Sequence, residues 1–186
     1  MRLISAALLY LAATLSANAT DTVALEALRE GDMRKLVFHA EPQEVSQQAF
    51  FMPDGSEHTL EEFEGKYILL NFWATWCAPC RHEMPMLAEL QTEFAGDAFE
   101  VVTIATGRNK VEGMQKFFDE ISVDNLPMFR DPKQAVAREM AVLGLPITVI
   151  LDPEGNEIAR LRGDADWASD SAKAIISAII NTDEAS

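Results

Sequence analysis

The sequence predicts an α/β fold, a three-layer sandwich with a mixed central sheet and helices on both faces. Three observations carry that prediction. Tyr67–Trp73 (YILLNFW), Phe99–Ala105 (FEVVTIA) and Ile147–Leu151 (ITVIL) are nearly continuous apolar runs, the pattern of strands buried on both faces. Helical patterns separate these runs, and strand–helix–strand alternation gives parallel pairing with right-handed crossovers. Finally, Asp152-Pro153-Glu154-Gly155 reads as a tight turn into Glu157–Leu161, a hairpin that adds antiparallel strands.

The elements follow in order. Arg2, the apolar stretch Leu3–Leu15 and the Ala17-Asn18-Ala19 cleavage signal read as an export signal removed after Ala19, with an uncleaved anchor as the alternative. The apolar stretch is short of the roughly 20 residues that a membrane span needs. Thr20–Leu36 reads as an amphipathic helical start interrupted by Gly31, and Phe38–Gln48, which contains Pro42, as an irregular connection. Ala49–Met52 is a strand running into the turn Pro53-Asp54-Gly55-Ser56. Thr59 with Glu62 three residues on forms a capping box for a short helix. After the first buried run, Met84, Leu87, Leu90 and Phe94 mark a helix that Gly96 ends. Val111–Ile121 and Lys133–Leu143 read as further helices, Asn125–Asp131 contains a short extended piece, and Trp167–Ile180 is a closing helix. The expected division is a signal over residues 1–19, an N-terminal extension over 20–48, one α/β domain over 49–181 and a polar tail over 182–186.

Composition excludes some functions. The 186 residues are 48% hydrophobic and 24% charged, ordinary for a globular chain, with a formal net charge of −15. That charge argues against nucleic acid as a partner, since phosphate binding needs clustered Lys and Arg. It favours solubility and steering towards basic partners.

The chain holds two cysteines, Cys77 and Cys80, in the stretch WATWCAPCR. A structural zinc site usually needs four ligands, and His82 is the one histidine nearby. A purely structural disulfide across two residues would constrain the unfolded chain little. A redox couple fits best, because Cys77-Ala78-Pro79-Cys80 lies where a buried strand hands over to a helix. The first helical turn offers unpaired N–H groups and the positive end of the dipole, which stabilise a thiolate. Pro79 sits early in the helix, where a missing N–H costs little. Cys77 is then the attacking sulfur and Cys80, more buried, the resolving one.

Asn71–Pro85, NFWATWCAPCRHEMP, resembles the thioredoxin superfamily, and most closely the periplasmic TlpA-like and ResA-like thiol–disulfide oxidoreductases. The resemblance covers roughly Ala49–Ile180, with Gly144-Leu145-Pro146-Ile147-Thr148 as its second motif. It implies a thioredoxin-like fold with a TlpA-type insertion, an extra helix and strand between Val102 and Gly144. It implies a cis Pro146 packed against Cys77, a Leu145 backbone that pairs with an extended substrate, and Trp76 on the substrate surface beside Pro79, with Trp73 in the core. Glu83, one helical turn after Cys80, matches the family's carboxylate and would exchange protons during the reaction if desolvated. Asn71 stands where thioredoxin has a buried aspartate, so any proton relay must come from elsewhere, and Glu83 is the nearest candidate. The loop Gly107–Lys110 would lie on the active-site side. Arg81 could favour a thiolate but reads better as a solvated helix residue, and His39, His58 and His82 receive no role.

The resemblance implies a periplasmic reductase with no cofactor beyond the Cys77–Cys80 couple. Its partners would be disulfide-containing client proteins in cytochrome c maturation or copper-site assembly of cytochrome oxidase, and a membrane thiol–disulfide electron donor. A disulfide oxidase or isomerase would use the same residues with opposite flow. A copper chaperone or redox sensor fits less well, because copper-binding relatives use another cysteine spacing and a distant histidine. A thiol peroxidase lacks support around Cys77. Client, donor and oligomeric state are not specified by the sequence.

Overall fold

The computed structural model describes residues 22–182. The expected signal and residues 183–186 of the tail lie outside the described residues. An eight-stranded mixed sheet forms the middle layer: β1 (Val37–Gln43), β2 (Phe50–Phe51), β3 (Glu57–His58), β4 (Tyr67–Trp73), β5 (Phe99–Thr106), β6 (Phe129–Asp131), β7 (Ile147–Leu151) and β8 (Glu157–Arg162). Their spatial order is β1-β8-β7-β4-β5-β6-β2-β3. The β4–β5 and β5–β6 pairs are parallel and the other pairs antiparallel.

The three apolar runs occupy the centre of this sheet, and every residue of β4 and β7 is buried. Side chains alternate across a strand, so the sheet divides the core in two. Tyr67, Leu69 and Trp73 join one apolar cluster, while Ile68, Leu70 and Phe72 join the other. The first cluster is covered by α1 (Ala78–Phe94), α2 (Val111–Glu120) and α4 (Asp170–Thr182); the second by the short α3 (Ala135–Glu139) and a 3-10 turn, Leu60–Phe63. Trp73 is fully buried and stacks on Phe118, ring centroids 5.5 Å apart. The expected extra helix and strand are present between β5 and β7, as β6 and α3.

Three sequence expectations need correction. Within Phe38–Gln48, read as irregular, the chain instead forms most of β1, which pairs antiparallel with β8 at the sheet edge. Pro42 is compatible with that place because an outermost strand needs no ladder donor on its open side. Ahead of β1, residues 22–27 are helical and Gly31–Lys35 is a 3-10 turn, with Met33 and Leu36 fully buried in the first cluster.

The helix expected over Lys133–Leu143 shrinks to α3. Buried Asp131 accepts the Ala135 and Ala137 amides at 2.8 and 2.9 Å and fixes the start. The end is a left-handed Ala141 (φ 52°), with Val142 N–H returning to the Ala137 carbonyl and Ala141 N–H to Arg138, a Schellman closure. The closing helix starts at Asp170 rather than Trp167, because Ser169 Oγ accepts the Ala172 amide as an N-cap.

Asp131→Ala removes both side-chain acceptors from the Ala135 and Ala137 amides at the start of α3. The expected loss is about 2–3 kcal/mol of unfolding free energy, read as a lower urea midpoint with an unchanged slope.

Candidate active site

The site is built where β4 ends. The chain leaves Trp73 through Ala74-Thr75-Trp76 and enters α1 with Cys77 as N-cap, in extended conformation (φ −91°, ψ 103°). Pro79 falls within the first turn, where it removes no intrahelical bond. Cys80 N–H points at Cys77 Sγ, 3.3 Å away, and the Arg81 amide closes the turn on the Cys77 carbonyl. The two sulfurs form a disulfide with the Cα atoms 5.3 Å apart. Cys77 is 6% exposed and Cys80 0%. When the bond opens, the first-turn amide and the dipole both favour negative charge on the Cys77 sulfur.

The approach loop is held from one side. Asn109 Oδ1 accepts the Thr75 amide at 2.8 Å and the Thr75 hydroxyl at 3.0 Å, and Asn109 Nδ2 donates to the Thr106 carbonyl. This ties the Gly107–Lys110 loop to the segment that carries Trp76 and Cys77. Trp76 itself is 67% exposed.

The second motif arrives on β7. The Leu145–Pro146 bond is cis. Phe72 pairs with Ile147 and Asn71 with Thr148, so the cis bond stands at the level where β4 gives way to the cysteine loop. Leu145 is partly buried against both clusters, whereas Leu143, two residues earlier, is fully exposed.

Glu83 lies three residues after Cys80 on the inner face of α1 and is 0% exposed. Its Oε1 accepts from Asn71 Nδ2 at 2.7 Å; its Oε2 accepts from the Ala165 amide at 3.2 Å and from Trp167 Nε1–H at 3.3 Å. The other Asn71 amide hydrogen goes to Thr148 Oγ1 at 2.9 Å. Burial pushes the Glu83 carboxyl up from 4.5 to about 7, with the Asp164 charge acting the same way and the three N–H donors acting against it. A carboxyl group titrating there is poised to take and return protons near neutral pH.

The structure thus places Pro79, Cys80 and Glu83 on α1 with Cys77 as its N-cap, bonds Asn71 of β4 to Glu83, and puts the cis Pro146 immediately before β7. Arg81 does more than face solvent: its guanidinium lies 3.9 Å from the Phe117 ring centroid and 3.4 Å from a Glu120 oxygen. His39 and His58 pair with Glu157 and Glu62, away from the cysteine segment in sequence. Sequence reasoning missed Thr148, Trp167 and Asn109. Thr148 could have been found, since it faces Asn71 once β4 and β7 are paired. Among the described residues, no group of three or more His, Cys, Asp or Glu side chains is placed to hold a metal ion, and no helix is long and apolar enough to cross a membrane.

The raised Glu83 value links to stability with a definite sign. Between 4.5 and about 7 the folded chain holds a proton that the unfolded chain releases, so this group makes folding less favourable as pH rises through that window. The full effect is about 3 kcal/mol. In Glu83→Gln this contribution is absent. The stability of the variant minus that of the parent, from urea unfolding of the oxidised proteins, should therefore grow from pH 4.5 to pH 8; a difference independent of pH would contradict the assignment.

Comparison with known proteins agrees with this architecture. The AhpC/TSA family matches residues 43–158. Over 101 residues the chain is 38% identical to the thioredoxin-like protein YneN of Bacillus subtilis (strain 168), covering 54% of this chain and 59% of that protein. Over 110 residues it is 32% identical to the thiol-disulfide oxidoreductase ResA of the same organism, covering 59% of this chain and 60% of that protein. The chain therefore spans about three-fifths of the length of these curated relatives. Among solved structures, a secreted thiol-disulfide isomerase from Corynebacterium glutamicum superposes with a TM-score of 0.66 at 23% identity, over 82% of this chain and 94% of that one. At that identity the likeness speaks for the fold. With more than half of the chain matched by the family and the sheet order described above, this chain belongs to the AhpC/TSA family and carries a thioredoxin-like fold.

Proposed function

We propose that the chain is an exported thiol–disulfide oxidoreductase that reduces disulfides in client proteins, with Cys77 as nucleophile, Cys80 as resolving thiol and Glu83 as proton acceptor. The observation that carries this reading is the placement of Cys77 as N-cap of α1, with Cys80 N–H on its sulfur and a buried carboxylate one turn beyond Cys80. The names of the relatives, thiol-disulfide oxidoreductase among them, support the same chemistry.

In the forward direction the Cys77 thiolate attacks one sulfur of a client disulfide. A Cys77–client bond forms, the client bond breaks, and the second client sulfur leaves as a thiolate. Cys80 then passes its proton to Glu83 and attacks the Cys77 sulfur. The Cys77–Cys80 bond forms, the client sulfur departs, and two electrons have moved to the client. The couple serves as its own redox group, with no further cofactor. A membrane thiol–disulfide electron donor restores the dithiol, since an exported chain works in an oxidising compartment, the periplasm.

Trp76, Pro79 and the Leu145–Pro146 backbone form the client surface. The exposed indole of Trp76 supports this reading, and the family resemblance implies that the Leu145 backbone pairs with an extended segment of the client. Clients in cytochrome c maturation or copper-site assembly of cytochrome oxidase follow from the family resemblance.

The test is the reduction potential of the Cys77/Cys80 couple, equilibrated against thiol–disulfide buffers. A value near or below about −250 mV fits a reductant; a value above about −150 mV would mean an oxidase and overturn the direction proposed. Cys77→Ala should abolish exchange with a disulfide substrate. Cys80→Ala should accumulate the mixed disulfide through Cys77, visible by mass spectrometry.

A further inference from the structure

Two of the three N–H donors on Glu83 come from a part of the chain far in sequence from the cysteines. Asn71 on β4 serves Oε1, while Oε2 is served by Ala165 and Trp167, 82 and 84 residues away in sequence. Both donors sit in the loop between β8 and α4. That loop touches the site a second time, since Gly163 N–H donates to the Pro146 carbonyl at 3.0 Å.

Outside these contacts, the loop and the first turn of α4 are gripped by residues 28–36. Lys35 Nζ donates to the Asp164 carbonyl at 2.7 Å, and the Asp166 amide donates to Asp32 Oδ2 at 3.3 Å. Ser171 Oγ donates to the Leu28 carbonyl at 2.7 Å and accepts the Glu30 amide at 3.0 Å. Beneath these bonds Met33 and Leu36 are fully buried in the apolar cluster that contains Ala165 and Trp167. A donor that must meet a buried carboxylate from a loop needs such bracing, because an error of a few tenths of an ångström weakens the bond.

We propose that Trp167 is a positioning residue for the Glu83 carboxylate, and that residues 28–36 act as the brace that holds Trp167 and Ala165 on Oε2. The inference rests on the proton role given to Glu83 above. Its chemistry is direct. The indole nitrogen can only donate, so it stabilises the carboxylate form and opposes protonation. Of the charged groups around Glu83, Asp164 lies on the same loop and Asp32 and Lys35 reach the loop backbone from the brace. β4 and β7 contribute Asn71 and Thr148, which do not titrate in this range, and α1 contributes Cys80, held in the disulfide.

The experiment is a carbon-13 titration of the side-chain carboxyl groups in the oxidised full-length protein, with Glu83→Gln used to assign the Glu83 signal. Trp167→Phe keeps the ring and removes the donor. It should move the Glu83 midpoint upward by about one pH unit. A folded Trp167→Phe protein with an unmoved midpoint overturns the inference and leaves the proposed function standing. If the midpoint moves but the pH profile of disulfide reduction does not follow it, the positioning role holds and the proton role of Glu83 fails. Should Trp167→Phe not fold, the double variant Asp32→Ala with Ser171→Ala decides. Loss of the Asp32 charge alone would lower the Glu83 midpoint, so a rise of a few tenths of a unit reports the loosened brace; no rise overturns the inference.

Discussion

A carboxylate with no water around it must find its partners in the protein, and much of this structure follows from how that demand is met at Glu83. The chain buries acidic groups in three ways. Asp131 is given two backbone amides at the start of a helix. Glu157 is given the Arg160 guanidinium in a two-bond fork, with His39 on the same carboxylate. Among the described residues, Glu83 is given three neutral N–H donors and no cation. Neutral donors soften the cost of burying a charge without removing it. The outcome is a group held between its two protonation states, one helical turn from a sulfur that must lose a proton in the proposed reaction.

The surrounding fold reads as the means of keeping that balance. Asn71 reaches Glu83 because odd-numbered residues of β4 face α1, and Thr148 reaches Asn71 because β7 pairs with β4 in the register that puts the two side by side. A slip of one residue in β4 would send Asn71, and a slip in β7 would send Thr148, to the opposite face, into the cluster of Leu70, Phe72 and Val149. The fully buried runs of β4 and β7 therefore do two jobs. They make the core, and they fix which side of it the single asparagine occupies.

The legible parts of this molecule were those written in adjacent residues. Buried strands, the strand-to-helix handover at Cys77 and the turn at Asp152–Gly155 all announce themselves locally, and each is where the sequence placed it. The proline at 146 was legible through its motif. What stayed hidden depends on distance along the chain. Trp167 looks like the apolar start of a helix until its loop is folded back on α1. β1 looks like a loop because its sequence, VFHAEPQ, lacks clean alternation and includes a proline; only the free edge of β8 makes it a strand. Helix α3 was overextended because apolar spacing continues past the point where the backbone of Ala141 turns left-handed.

That edge strand has a consequence for the molecule among its own copies. A sheet that stops leaves a row of open donors and acceptors, to which another chain can add a strand. Here β1 covers β8, and Pro42 deprives β1 of one donor while a shift in register between Phe38 and Gln43 breaks its regularity. At the other end β3 is two residues long, too short to guide an incoming strand far. A formal charge of −15 adds mutual repulsion between copies. The sheet is open in topology yet poorly suited to polymerise, and the exposed side chains of Trp76 and Leu143 stand on loops, apart from its edges.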